Sequence, residues 1–413
     1  MASSPARSLM AEGPGFTRIM AAIGGIYIAQ TLLSAVTFRA LPTIMREQGA
    51  DLRVVGLVSL LMLPWAFKFI WAPAVERYRR PANGGRRSRT IVVSGQLAVA
   101  ALLAGCAVFG PAQAAPLFAL LAVAATICAT IDIACDAYAI ESLPAGDRGW
   151  ANTAQVGGSY LGAVLGAGLF VWVYAEAGWA PALLLMACLL VLFALPFATM
   201  PPVTGHIGAT SAPHRPSLAF ALRRRDVHVG LVVITLYTLG IGPMMSLSGP
   251  LLVDAGLGLE AIAAVTGIGS IAAGLGGAVF GGWLVRAMGA RMAMLASLTL
   301  LTLYLGALAA CAALAVPPVV LAAMVALGGV VTAIGFVCVY ALLMGLSSDL
   351  QAGVDFTLFQ CANALVQAVG GTLAGFLAHG LGYGGTFALS AAISLVALIT
   401  IPKLLNFLPA EQA

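Results

Sequence analysis

Long apolar runs recur along the whole chain, and each is closed by an arginine cluster, a Gly/Pro pair or a short polar stretch. In a bilayer such a run must be helical, because every backbone N–H and C=O has to be bonded within its own segment. Charged residues are 8% of the 413 and hydrophobic ones 61%, whereas soluble domains carry about 25% charged residues. No ordinary water-soluble fold is open to such a chain. Twelve runs can be marked, beginning near Thr17, Val54, Thr90, Pro116, Ala151, Pro181, His228, Gly258, Met292, Pro317, Gly353 and Gly385. The links Gly110 to Pro116 and Val316 to Pro318 are uncharged and read as tight turns between antiparallel helices. The first run, Ile19 to Phe38, lacks the short core and small-residue cleavage site of a signal peptide and is expected to remain as a helix.

Arginine placement predicts the orientation, since cytoplasmic loops collect Lys and Arg. With the first helix entering from the cytoplasm, sixteen of the twenty Lys and Arg fall on the inside: Arg7 and Arg18, the six between Arg77 and Arg89, Arg148, Arg215, Arg223 to Arg225, Arg286, Arg291 and Lys403. The outer loops keep Arg46 and Arg53, while Arg39 and Lys68 lie inside spans. Both termini are therefore expected in the cytoplasm of a multi-pass protein of a bacterial inner membrane.

The longest link, Met200 to Asp226, divides the spans six and six. A shift of 209 positions sets Arg77 on Arg286, Gly162 on Gly371 and Gly166 on Gly375. The polar spacing Asn152, Gln155, Ser159 recurs as Gln360, Asn363, Gln367 to within a residue. Parallel repeats of this kind predict an all-α membrane protein of twelve transmembrane helices in two pseudo-symmetric halves. The expected organisation is a tail over 1–16, a first half over 17–200, a central loop over 201–226, a second half over 227–407 and a tail over 408–413.

Several function classes drop out. The net charge of +5 comes from arginine clusters between spans, not from a basic domain face, so no nucleic acid is expected as a partner. Seven cysteines lie in apolar stretches without a C-x-x-C pair and read as small buried hydrophobes. His206, His214, His228 and His379 are scattered, so no metal site and no cofactor are expected. No phosphate loop of the G-x-x-x-x-G-K-[ST] kind and no nucleophile–base–oxyanion set is present, which argues against a nucleotide-driven pump and against an enzyme. A secondary carrier, monomeric and moving a small molecule with protons through the lipid bilayer, fits what is left.

Ionisable groups inside a membrane are costly and mark functional sites or ion pairs. On the fourth span Asp132 and Asp136 stand four apart and share a face. Two carboxylates that close repel, and one can hold a proton, as proton coupling requires. Lys68 on the second span falls at similar depth, so an ion pair with Asp132 or Asp136 that fixes packing or gates the carrier is an equal alternative. On the first span Tyr27, Gln30, Thr31 and Ser34 form one stripe, and on the eleventh Gln360, Asn363 and Gln367 form another. Such stripes face a cavity or a neighbouring helix. With Gln155, Ser246 and the tyrosines Tyr160, Tyr237 and Tyr340, which can be core or can stack on a ligand, they are the candidate substrate contacts. Gly158, Gly162, Gly166, Gly277, Gly281, Gly371 and Gly375 give small-residue faces for close helix approach.

The segments Phe67-Lys68-Phe69-Ile70-Trp71-Ala72-Pro73-Ala74-Val75-Glu76-Arg77 and Gly281-Gly282-Trp283-Leu284-Val285-Arg286-Ala287-Met288-Gly289-Ala290-Arg291 resemble the motif that major facilitator carriers repeat after their second and eighth helices. The resemblance implies a cytoplasmic latch formed by Glu76, Arg77, Arg286 and Arg291. Arg79, Arg80 and Arg86 to Arg89 read instead as positive-inside anchors. The strings around Lys68 and from Asp132 to Leu143 are similar to muropeptide permeases of the AmpG type and to siderophore permeases of the RhtX/FptX type. Muropeptide permeases tend to have Lys where Thr238 stands and Asp where Ile241 stands, so the likeness leans to the siderophore branch. It implies proton-driven import of a ferric siderophore by alternating access, with a muropeptide or other organic solute as the alternative.

Overall fold

A computed structural model describes residues 15–49, 54, 57–81, 85–111, 113–200, 215–258, 261, 265, 269–314 and 316–406. The start expected near Gly258, both tails, most of the central loop, Arg7, Arg53, His206 and His214 lie outside these residues or at their edge. The ordered elements are α1 (Phe16–Ala35), α2 (Leu41–Glu47), α3 (Leu63–Phe67), α4 (Ala72–Arg79), α5 (Ser88–Gly105), α6 (Ala114–Ser142), α7 (Arg148–Ala163), α8 (Phe170–Ala177) and α9 (Trp179–Ala198). After the central link come α10 (Leu218–Ala221), α11 (Arg225–Asp254), α12 (Ser270–Ala313), α13 (Pro318–Leu346) and α14 (Ala352–Leu405). All are helices. Nine of the described helices are long and apolar enough to cross a membrane, and the pair Val58–Ile70 and Ala72–Arg79, bent by 61°, adds a tenth.

Local chemistry sets the ends. Gly178 at φ 87° terminates α8, and Gly49 and Gly256 take positive φ after α2 and α11, a conformation that a side chain disfavours. Pro318 opens α13 at the position where a missing N–H costs nothing. Inside α12 and α14, Gly289 (φ 79°) and Gly382 (φ 68°) are non-helical, so each of these 44- and 54-residue elements is two helices joined at a glycine. Most starts fall within four residues of those expected, because backbone bonding in lipid ties helix length to apolar length.

Helix packing follows the small residues. A Cβ on Gly158 would stand 2.9 Å from the Gly24 carbonyl oxygen and 3.2 Å from Tyr27 Cβ, and Gly162 and Gly166 face Ile28 and Leu32, so α1 and α7 touch backbone to backbone. Gly277 and Gly281 meet Val330 and Ile334 in the same way, joining α12 to α13. Gly375 has nothing near it and does not pack as expected. Gly158→Leu is expected to destabilise the protein by about 1–3 kcal/mol through forced overpacking, and Gly375→Leu to leave the melting midpoint in detergent unchanged. Equal midpoints for the two variants would remove the close crossing as a source of stability. Five cysteines are buried as expected, but Cys188 is exposed and Cys311 half-buried, since an apolar run in lipid also presents an outer face.

Candidate substrate cavity and gate

Lys68 sits where the second span breaks. Pro64 and Pro73 open α3 and α4, and a short 3-10 turn, Lys68–Ile70, lies between them. The break presents the ammonium to the protein interior, where it is 2% exposed. It pairs with Asp132 of α6 and donates to the side-chain carbonyl of Gln360 on α14. Trp71, just after the break, donates its indole N–H to Thr130 Oγ1 at 3.1 Å and so ties the bend to α6. One turn beyond Asp132, Asp136 accepts the hydroxyl hydrogen of Tyr27 on one oxygen. Its other oxygen is buried without a hydrogen-bond partner, and Asp136 is in no ion pair among the described residues. The two carboxylates are thus distinct: one holds a cation, the other a phenol.

Lys68, Asp132 and Tyr27 border a cavity of about 230 Å³, whereas Asp136 is joined to it through Tyr27 and is not part of its lining. All four residues of the first stripe, Tyr27, Gln30, Thr31 and Ser34, line it from one side. Gln155 and Ser159 of α7 line it beside them, and Tyr340 and Gln360 face them from α13 and α14. The second stripe divides. Asn363 accepts from Thr238 Oγ1 at 2.8 Å and donates to the Tyr340 hydroxyl at 3.0 Å, and Gln367 donates to Asn363 Oδ1 at 3.2 Å. Asn363 and Gln367 therefore hold Tyr340 in place and do not border the cavity. Tyr237 packs its ring 5.7 Å from that of Phe336 and is fully buried, Tyr160 lies against Gly274, and Ser246 is exposed opposite Gly371. None of these three borders the cavity. Trp65 does, and reading from sequence missed it, although its position three residues before Lys68 puts it near the same face.

A second constellation gathers at the arginine-rich end. Arg79 was expected as a surface anchor, yet its side chain is 0% exposed. Its guanidinium bonds Glu76 at 2.6 and 2.8 Å, Glu141 at 2.7 Å twice and Ser88 Oγ at 3.2 Å. The reason is register: on a bent α4, position 79 points at α6 and position 77 points away. Arg77 is exposed and bonds the Pro73 carbonyl oxygen at 3.1 Å, so it does not share Glu76. Arg80, likewise expected as an anchor, donates to the Asp349 carbonyl, and Arg86 approaches Glu141 at 3.4 Å. Arg286 pairs with Asp147, whereas Arg291 bonds Asn406.

Three contacts at this end join the segments before Ala198 to those after Arg225. They are Arg286 with Asp147, Arg80 with Asp349, and Arg148 with the Met344 carbonyl oxygen at 3.2 Å. Glu76 adds a fourth approach, because a Cβ on Gly353 would lie 2.7 Å from its Oε2. Arg79 holds that carboxylate on both oxygens, so it cannot swing aside. Gly353→Ala is expected to disfavour the shut arrangement by about 1–3 kcal/mol. Spin labels at Gly146→Cys and Ala287→Cys should then show a longer distance population, and an unchanged distribution would exclude Glu76 and Gly353 as a closing contact.

A polar cavity among long apolar helices, with a charged cluster at one end, is the architecture expected of a membrane transport protein. The sequence matches the Major Facilitator Superfamily over residues 23–315, and the chain belongs to that superfamily, as a secondary transporter. It is 29% identical over 388 residues to the anhydromuropeptide permease of Escherichia coli strain K12, covering 90% of this chain and 77% of that protein. An uncharacterized protein of Haemophilus influenzae is 25% identical over 366 residues, covering 84% and 85%. Among solved structures, the E. coli fucose:proton symporter FucP superposes with a TM-score of 0.70 at 15% identity, covering 93% of this chain and 98% of that one. The proton:xylose symporter XylE gives 0.68 at 15%, covering 95% of each chain. The kinship expected with muropeptide permeases is found, and the kinship with siderophore permeases has no counterpart among these relatives.

Proposed function

We propose that the chain is a proton-coupled permease that carries an anhydromuropeptide-like cell-wall fragment across a bacterial cytoplasmic membrane. The observation that carries the substrate class is the likeness to the anhydromuropeptide permease along 90% of the chain. The chemistry of the cavity agrees: amides, hydroxyls and the three aromatic side chains Tyr27, Trp65 and Tyr340 suit a sugar–peptide, and the lone ammonium is already paired. Thr238 and Ile241 stand where such permeases tend to carry charge, so recognition here rests on neutral hydrogen-bonding groups. The 230 Å³ cavity is smaller than the roughly 300–1,000 Å³ of common ligand sites, so the substrate enters a state in which the helices have parted further.

In this reading the chain spans the membrane twelve times. α12 and α14, bent at Gly289 and Gly382, count as two spans each, and the bent pair at Lys68 as one. The spans form halves over 17–200 and 227–407, with both termini on the arginine-rich cytoplasmic face. Asp136 exchanges the proton, because it alone of the two carboxylates can do so without breaking an ion pair. The Glu76–Arg79–Glu141 cluster and Arg286 with Asp147 shut the cytoplasmic side while the cavity meets the periplasm.

Uptake of a radiolabelled anhydromuropeptide by cells with and without the protein, each with and without a protonophore, tests the function. Protein-dependent uptake that collapses with the protonophore supports it. Absence of such uptake, with protein-dependent uptake of iron supplied on a siderophore, overturns the substrate class.

A further inference from the structure

Two cavity side chains carry unspent hydrogen-bonding capacity of opposite sign. Gln30 Nε2 on α1 is a buried donor without an acceptor, and Gln155 Oε1 on α7 is a buried acceptor without a donor. Both residues line the same cavity, at 6% and 8% exposure. A buried amide group left unbonded costs about 1–3 kcal/mol, and a donor and an acceptor left so on one cavity give a ligand two bonds to complete. Their placement is held firmly. Gly158, one turn from Gln155, meets the backbone of α1 beside Tyr27, and Ser159, one turn on, also faces the cavity and donates to the Gln155 backbone carbonyl at 2.9 Å.

A group that offers one acceptor and one donor on opposite edges is a secondary amide, which is planar and trans. A hydroxyl also offers both, but from a single atom, and two glutamines on separate helices fit better a group whose acceptor and donor are different atoms. We propose that Gln30 and Gln155 form an amide-recognition subsite, in which Gln30 Nε2 donates to the carbonyl of an N-acetyl or peptide group and Gln155 Oε1 accepts its N–H. This deepens the proposed function and rests on it for the identity of the whole substrate, since a muropeptide bears both kinds of amide. The two residues play separable parts. Gln155 reads the N–H and so tells an amide from an ester, whereas Gln30 reads the carbonyl that amide and ester share.

The test uses full-length protein in detergent, with binding followed by thermal shift. The probes are N-acetylglucosamine and 2-O-acetylglucose, which differ in the N–H alone at the acetyl link. The native protein is expected to favour the N-acetyl sugar by about tenfold or more. Gln155→Leu should bring that ratio to about one. Gln155→Glu keeps an acceptor and should retain the preference, which separates loss of recognition from loss of folding. Gln30→Leu should weaken both probes by a similar factor and leave their ratio unchanged. Equal binding of the two sugars by the native protein, or no binding of either, overturns the subsite even if anhydromuropeptide uptake is intact. Conversely, a preserved preference with no anhydromuropeptide uptake would leave the subsite standing and discard the cell-wall substrate.

Discussion

Arg79→Met is expected to lower the stability of the protein by about 3–5 kcal/mol, among the largest effects of any single substitution here. The guanidinium is fully buried and serves two carboxylates, Glu76 and Glu141, with four of its hydrogen bonds, and Ser88 with a fifth. Removing it strips both acids of their hydrogen-bonded cation and leaves only the longer approaches of Arg80 at 3.7–3.8 Å and Arg86 at 3.4 Å, which costs far more than a surface pair would return. The melting midpoint in detergent should fall steeply. Adding Glu76→Gln and Glu141→Gln to Arg79→Met should restore part of it, because neutral amides remove the uncompensated charge. Arg77→Met, one residue pair away and exposed, should change the midpoint little. A midpoint as high in Arg79→Met as in Arg77→Met would rule out the cluster as a structural latch.

Asp136→Asn is expected to abolish accumulation against a gradient, with the internal-to-external ratio of labelled substrate falling to about one, while exchange of internal for external substrate continues. The amide keeps the size and the hydrogen bond with Tyr27 but cannot take up or release a proton. Asp132→Asn should behave otherwise. It strips the counter-ion from Lys68, leaving an ammonium buried and unpaired, so both transport modes and protein abundance are expected to drop together. Loss of exchange in Asp136→Asn at normal abundance would show that Asp136 is structural, and its role as the proton carrier would fall.

The contrast between these two acids marks where sequence reading stops. Helix counting put Lys68 and both aspartates at one depth, since depth in a membrane is nearly a count of residues from the nearest interface. Which aspartate takes the lysine depends on how far α4 and α3 are turned by the prolines at 64 and 73, and no periodicity reports that rotation. The first polar stripe was legible because four residues at helical spacing share a face whatever that face meets. The second was legible as a stripe yet split in use, with Gln360 on the cavity and Asn363 bonded to Thr238 and Tyr340.

Arginines show the same limit more sharply. In sequence Arg77, Arg79 and Arg80 are near neighbours in one basic loop, and the rule that gathers them on one side of the membrane treats them alike. The bend of 61° at the second span then aims one into the protein, one into the open and one toward Asp349.

By itself the sequence determined that the chain crosses a membrane as a series of apolar helices and where most of them begin. It also determined which few polar residues lie at depth. Those properties are sums over consecutive residues, because burial in lipid and backbone bonding are both settled within a segment. Only the tertiary structure decided which acid keeps a cation, which arginine is buried and which glutamines face a common space. Those outcomes turn on the rotation and closeness of helices far apart in the chain, set at contacts such as Gly158 against Gly24, and a rotation of one residue position would exchange a partner for a lipid.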